Sequence, residues 1–222
     1  MQSLSEYFPF WNKLDEDDRR ALESAARQAK LSVYERAGKN SDSCAGLLAV
    51  QSGRLRVYTV TETGKELTLY RLFEGDICLL SASCMFRSLQ FSVRVEAEEV
   101  TQVIVLPTDA FHRVAEHSAP AANYVNELMA SRFSEVMWKV EEILAKKMDS
   151  RLAGLLLEEA ALSDGKTVTV THERLAAHLG SAREVVTRLL KYLQDEGMVT
   201  LSRGKVEIAD EARLSRLAQE SA

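Results

Sequence analysis

The chain has 222 residues, of which 46% are hydrophobic and 27% charged, and its formal net charge is −5. This is ordinary soluble composition, with enough apolar residues for one large or two small cores. No apolar run approaches the roughly 20 residues that cross a bilayer. The opening Met1-Gln-Ser-Leu-Ser-Glu-Tyr lacks the basic-then-apolar pattern of a secretion signal, so the expected location is the cytoplasm, with no membrane partner. Three cysteines, Cys44, Cys78 and Cys84, form no even disulfide framework and are expected as thiols, ligands or a redox pair. The acidic balance of the whole chain argues mildly against nucleic acid, so such a partner has to be read from local charge and motif.

In chain order, residues 4–30 read as helical. Leu14, Leu22, Ala25, Ala26 and Ala29 fall near helical spacing, and Asp15-Glu-Asp-Asp places negative charge where a helix dipole favours it. From Leu31 the period changes. Short β-rich runs at 47–51, 54–60, 66–72, 91–97 and 103–106 are separated by turn signals at Gly38, Ser52-Gly53, Thr63-Gly64-Lys65 and Glu74-Gly75-Asp76. Punctuation of this kind predicts a compact β-barrel or roll.

From Pro120, a first-turn proline, to about Lys147 no further glycine or proline interrupts the pattern. The predicted helix is about 42 Å long at 1.5 Å per residue. Val125, Met129, Arg132, Val136, Lys139 or Val140, and Ile143 trace a heptad-like stripe, with Leu128, Phe133 and Met137 beside it. Such a helix either pairs with a second copy or lies across the roll of its own chain. Apolar residues on more than one side favour the pairing. A second helix is predicted at 152–162, then a turn at Ser163-Asp-Gly-Lys and a strand at 167–170. The join near Ala145–Ser150 has no Gly/Pro-rich linker, which predicts a helix-to-helix bend.

Local chemistry is concentrated after Thr171. Thr171 is a good helix N-cap; Leu175, Ala176 and Leu179 make one apolar face, and Gly180 supplies a tight turn. The following helix buries Val185 or Val186, Leu189, Leu190 and Leu193, and its opposite face carries Arg183, Glu184, Thr187, Arg188 and Lys191. This is the pattern of a helix-turn-helix whose second helix enters the major groove. Arginine can donate a bidentate pair to guanine and glutamate can accept from cytosine. Beyond Gly197, Met-Val-Thr-Leu-Ser-Arg-Gly-Lys-Val-Glu-Ile reads as a two-stranded wing with Arg203 and Lys205 near its tip. Between 166 and 205, seven basic residues face four acidic ones, reversing the sign of the whole chain as phosphate binding requires. The plainer reading, a solvated amphipathic face, does not account for helix, glycine turn, helix and basic wing in succession.

Residues 167–208 resemble the DNA-binding domain of the CRP/FNR family, through Thr-x-Glu-x-Leu-Ala, Leu-Gly and Arg-Glu-x-Val-x-Arg-x-Leu. The resemblance implies that Arg183, Glu184 and Arg188 read bases and that Thr171 meets phosphate. The arginine at 183 is similar to the cyclic-AMP receptor branch, which implies TGTGA-like half-sites. The family layout implies an α+β chain with a cyclic-nucleotide-binding-like β-roll at 1–118, a dimerisation helix at 119–148 and a winged helix-turn-helix at 149–222. It also implies a homodimer on double-stranded, pseudo-palindromic DNA, with RNA polymerase as a further partner.

The roll resembles the family through Gly53-Arg-Leu-Arg-Val-Tyr, Gly64-Lys-Glu and Gly75-Asp, but departs from it where cyclic nucleotides bind. The Gly-Glu-Leu and Arg-Ser-Ala segments are replaced by Ile77-Cys-Leu-Leu-Ser-Ala-Ser-Cys-Met-Phe, and adenine-binding helix positions become Val136 and Met137. With nothing to pair a buried phosphate, cyclic AMP is disfavoured. The absence of cysteines before Cys44 disfavours an iron–sulfur cluster. Gly75-Asp-Ile-Cys…Cys84 is similar to carbon-monoxide-sensing haem members, which implies Cys78 as a haem ligand, although their histidine position is Leu80 here. Three readings of Cys78 and Cys84 stay open: a haem or other ligand site, a redox thiol pair, or small buried apolar residues. A small organic effector would be lined by Leu79, Leu80, Met85, Met129 and Phe133, and the expected effector set is Cys78, Leu80, Cys84, Met129, Phe133 and Val136.

His112, His117, His172 and His178 show no metal spacing, and His172 and His178 are expected near phosphate or at the surface. No phosphate-cradling glycine loop, H-E-x-x-H or G-x-S-x-G motif is present, so an enzyme is not expected. The expected function is a DNA-binding transcription regulator that responds to a signal in the roll. The rival is a regulatory or structural β-roll protein that does not bind DNA.

Overall fold

The computed structural model describes residues 4–38, 46–79, 81, 93–163 and 165–220. The chain divides into two compact units, one of Met1–Thr59 with Leu69–Val136, the other of Val60–Thr68 with Met137–Ala222.

In the first unit, two short 3-10 turns precede helix α1 (Glu16–Ala25), which Asp15 caps by accepting from the Asp18 amide at 2.8 Å. The expected single helix over 4–30 is therefore corrected. Arg27–Leu31 is strand β1, paired antiparallel with β7 (Thr101–Leu106). Alanines at helical spacing commit weakly to a helix, and the ladder to β7 satisfies the backbone groups instead. β2 (Leu47–Ser52) and β5 (Ile77–Cys78) complete a four-stranded sheet in the order β1-β7-β2-β5. β3 (Leu55–Val60), β4 (Glu66–Leu72) and β6 (Arg94–Ala97) form a three-stranded sheet in the order β4-β3-β6. Helix α2 (Thr108–His117) follows, which the sequence reading missed although Ala110, Phe111 and Val114 face inward at helical spacing.

The larger sheet is buried on both faces. Leu47, Ala49, Ile77, Ile104 and Leu106 pack with Phe8, Phe10, Leu22 and Phe111, while Leu48, Val50, Cys78 and Val103 pack with Leu55, Val57, Tyr70, Leu72 and Val95 of the second sheet. Successive strand residues point to opposite faces, so one strand feeds two cores. The sharp turn into β3 requires Gly53, at φ 86°, because a Cβ there would lie 2.7 Å from the Thr101 Oγ1. Salt bridges cross the smaller sheet: Arg54 and Arg71 both reach Glu98 at 2.8 Å, and wholly buried Arg56 donates to Glu96 at 2.9 Å.

Helix α3 (Ala119–Ala145) is 27 residues long. Part of the stripe expected to face a partner covers its own roll: Val125 and Met129 pack on the aromatic core, and Met129 and Val136 on the strand core. The apolar residues left exposed are Phe133, Met137, Trp138, Val140 and Leu144. No helix among the described residues is long and apolar enough to cross a membrane.

In the second unit, α4 (Met148–Leu162) begins two residues after α3 ends. The order then runs β8 (Thr167–Thr169), α5 (His172–Leu179), α6 (Arg183–Asp195), β9 (Val199–Ser202), β10 (Lys205–Ile208) and α7 (Glu211–Gln219). Their apolar faces form one core, including Leu152, Leu156, Leu175, Val186, Leu190, Leu193, Val206 and Leu214. Helix α7 was not expected; Asp210 caps it, and Lys146 donates to the Ala218 carbonyl at 2.7 Å.

Glu96→Ala removes the carboxylate paired with the buried Arg56 guanidinium and should lower unfolding free energy by about 3 kcal/mol. The paired replacement Arg56→Met with Glu96→Leu should recover most of that loss, as read from urea unfolding midpoints.

Candidate nucleic-acid interface

The helix-turn-helix is assembled from local signals. The Thr171 hydroxyl oxygen accepts from the Arg174 amide at 3.1 Å, capping α5 where four amides lack helical partners. Gly180 closes the helix in the left-handed region at φ 69°, its N–H bonded to the Ala176 carbonyl. Arg151, largely buried, donates to the Leu179 carbonyl at 2.9 Å. Burial pushes its pKa down, with Glu142 opposing the shift. The turn is thereby held from both its backbone and a side chain.

Helix α6 buries Val186, Leu190 and Leu193 and half-buries Val185 and Leu189. Arg183, Glu184, Thr187, Arg188 and Lys191 are all exposed on it. Arg183, Thr187 and Lys191 recur at four-residue steps, and Glu184, Arg188 and Lys191 at steps of four and three, so two adjacent rows line one side of the helix. In the wing, β9 and β10 pair with Lys205 opposite Ser202, and Arg203 and Lys205 are exposed at the turn. The structure therefore brings α6 and wing residues of the expected set into the unit that also contains Thr171.

Of two histidines on this motif, one makes a contact that the spacing did not disclose and the other is placed differently from expectation. His172 lies 2.9 Å from the Thr187 Oγ1, and that hydroxyl donates to the Arg183 carbonyl at 2.9 Å. Both bonds are satisfied together when His172 carries its proton on Nδ1 and donates. His172 thus fixes the side chain of Thr187 on the reading helix, a role that residue spacing did not disclose. His178 is not at the surface but 5% exposed, and its Nδ1 lies 2.8 Å from the Thr68 Oγ1.

The expected effector residues are only partly brought together. Cys78 is fully buried in the strand core, with Met129 and Val136 packed against that core. Phe133 stands apart from them, 65% exposed among the outward residues of α3. Cys44, Leu80, Cys84 and Met85 lie outside the described residues. Sequence reasoning missed a polar cluster beside Cys78. Arg132 stacks 5.1 Å from the Tyr70 ring centroid and pairs with Glu135 at 2.6 Å and Asp76 at 3.6 Å. Among the described residues, the buried Tyr70 hydroxyl, Arg132 Nε and Glu135 Oε2 find no hydrogen-bond partner. Burial, with a smaller contribution from Cys78, drives the Tyr70 pKa far upward against the pull of Arg132. Tyr70 is therefore a neutral hydroxyl at physiological pH.

Residues 150–217 match the Crp-like helix-turn-helix domain, and residues 39–118 match the cyclic nucleotide-binding domain. A crystal structure of a protein assigned to the CRP/FNR family of transcriptional regulators, from Eubacterium rectale, is 46% identical, with a TM-score of 0.93 over 96% of this chain and 99% of that one. The cyclic AMP receptor protein of Thermus thermophilus is 28% identical over 172 residues, spanning 78% of this chain and 79% of that protein. The global nitrogen regulator of Synechococcus elongatus is 25% identical over 209 residues, spanning 89% and 93%.

Thr171→Ala should lower stability by about 1 kcal/mol through loss of the cap. Thr171→Asp should restore the thermal midpoint, because aspartate caps as well, yet weaken duplex binding by repelling phosphate. Melting curves and fluorescence anisotropy on one labelled duplex separate the two effects.

Proposed function

The chain belongs to the CRP/FNR family of DNA-binding transcription regulators, and on that premise we propose that it reads a pseudo-palindromic duplex as a homodimer. The observation that carries this reading is the exposed set Arg183, Glu184, Thr187 and Arg188 at the N-terminal half of a helix whose opposite face, Val186, Leu190 and Leu193, is buried. Entering the major groove, Arg183 and Arg188 donate to guanine edges and Glu184 accepts from cytosine N4, which suits TGTGA-like half-sites. Thr171, Lys191, Arg203 and Lys205 hold phosphates and set the register. The bound dimer acts on transcription through RNA polymerase.

Dimerisation is supported by the outward face of α3. Phe133, Met137, Val140 and Leu144 are exposed at steps of four, three and four residues, the spacing of a coiled-coil seam. A second copy of the same helix buries this stripe and places two recognition helices about 34 Å apart, one turn of DNA.

The signal enters, in this reading, at the cluster of Tyr70, Arg132 and Glu135. Its buried donors and acceptors without partners suit a small polar organic molecule, and unsatisfied buried groups are otherwise rare. Haem does not fit the described residues: Cys78 is wholly buried beside Leu48 in the strand core, whereas a ligand sulfur must face a pocket that admits iron.

Arg183→Ala and Arg188→Ala should each lose about 1–3 kcal/mol of specific binding per half-site, with random-duplex affinity changed far less. Equal losses on both duplexes would remove the base-reading assignment, and no salt-sensitive binding by the parent protein would favour a β-roll protein that does not bind DNA. Met137→Asp with Leu144→Asp should convert the dimer to a monomer in light scattering and abolish tight binding to the two-half-site duplex.

A further inference from the structure

Two neighbours fix the polarity of the Thr187 hydroxyl on α6. One is the Arg183 carbonyl, 2.9 Å away in the preceding turn of the same helix. The other is Nδ1 of His172, the first residue of α5, also at 2.9 Å. A carbonyl only accepts, so the single hydroxyl proton goes to Arg183 and the imidazole donates to the threonine oxygen. A hydroxyl has two lone pairs, and His172 occupies one of them. Thr187 is exposed, so the second lone pair is what it offers to a molecule outside.

We infer that His172 is a positioning residue for base recognition, and that it makes Thr187 a hydrogen-bond acceptor toward DNA. This deepens the DNA-reading function proposed above and rests on it. A helical threonine otherwise divides its side chain between two rotamers, because its oxygen can bond a backbone carbonyl of the preceding turn. The contact from α5 selects the rotamer in which the oxygen also meets the imidazole. A base that faces the remaining lone pair has to donate, as adenine does through N6 and cytosine through N4. Guanine and thymine present only acceptors in the major groove, which sets lone pair against lone pair.

Glu184 lies three residues before Thr187, on the same side of the helix. The reading surface thereby carries two donors, Arg183 and Arg188, and two acceptors, Glu184 and Thr187. A phosphate contact by His172 predicts something else, since phosphate carries no sequence information and its loss weakens every duplex alike.

The test uses the full-length protein and a duplex selected from a random pool. Dissociation constants are compared with those of copies lacking one base amino group at a time, with purine in place of adenine or pyrimidinone in place of cytosine. At one position of the half-site the deletion should weaken the parent by about three- to ten-fold, the worth of one hydrogen bond. Thr187→Val, which keeps the shape and loses the hydroxyl, should feel the same deletion by less than about two-fold. His172→Phe, which keeps a ring without the N–H, should lose most of the sensitivity at that position and no other. His172→Asn, whose amide supplies an N–H close to the place of Nδ1, should regain it. His172→Ala covers the case in which His172→Phe fails to fold.

Full sensitivity retained in folded His172→Phe or His172→Ala overturns the inference. So does an equal loss of affinity on every duplex, random sequence included, or the absence of any position at which Thr187→Val differs from the parent. Each of these leaves DNA reading by Arg183 and Arg188 intact. No salt-sensitive binding by the parent protein overturns both.

Discussion

One long helix has to satisfy two hydrophobic demands at once, and the arrangement of the protein follows from how it divides them. Val125, Met129, Arg132 and Val136 on α3 close the cores of the roll, so they are spent within the chain. Phe133, Met137, Val140 and Leu144 occupy the neighbouring face and stay exposed. A helix rotates about 100° per residue, so Arg132 points into the roll while its neighbour Phe133 points outward. That separation lets a single element close the cores of the roll on one side and keep an apolar stripe exposed on the other.

The strand core of the roll turns polar around Tyr70, although its other packed residues are apolar. Arg132 reaches it from the helix, and charge is balanced by Glu135 and Asp76 rather than left bare. Balanced charges still leave orphan hydrogen-bonding atoms on Tyr70, Arg132 and Glu135. Each costs free energy in the absence of a partner, and such cost is tolerated where a ligand supplies one. The nearby Arg56–Glu96 pair is the contrasting case, buried as deeply but bonded at 2.9 Å across the sheet.

The reading helix is defined from every side by short-range chemistry. The Thr171 cap, the left-handed Gly180, the Arg151 bond to Leu179 and the His172–Thr187 pair leave little freedom in the turn or in Thr187. A base-reading surface benefits from such restraint, since side chains ordered before binding lose less entropy on DNA. The hairpin tip at Leu67 and Thr68 adds a restraint drawn from far along the chain.

Local pattern made the helix-turn-helix legible almost residue by residue. Its cap, its glycine turn and its apolar spacing all act within a few positions, and so did the alternation of the main roll strands. Two helices were overlooked despite the same kind of signal: α2, after Pro107, and α7, after its Asp210 cap. β1 was misread as helix because its identity comes from β7, more than seventy residues away. The sequence by itself determined which residues form each amphipathic face and that a helix-turn-helix follows a β-roll. Only the tertiary structure decided which face of α3 is covered, that His178 is buried against Thr68, and that Tyr70, Arg132 and Glu135 meet. Those outcomes depend on what packs across from a residue, and spacing along the chain carries no information about partners a hundred positions away.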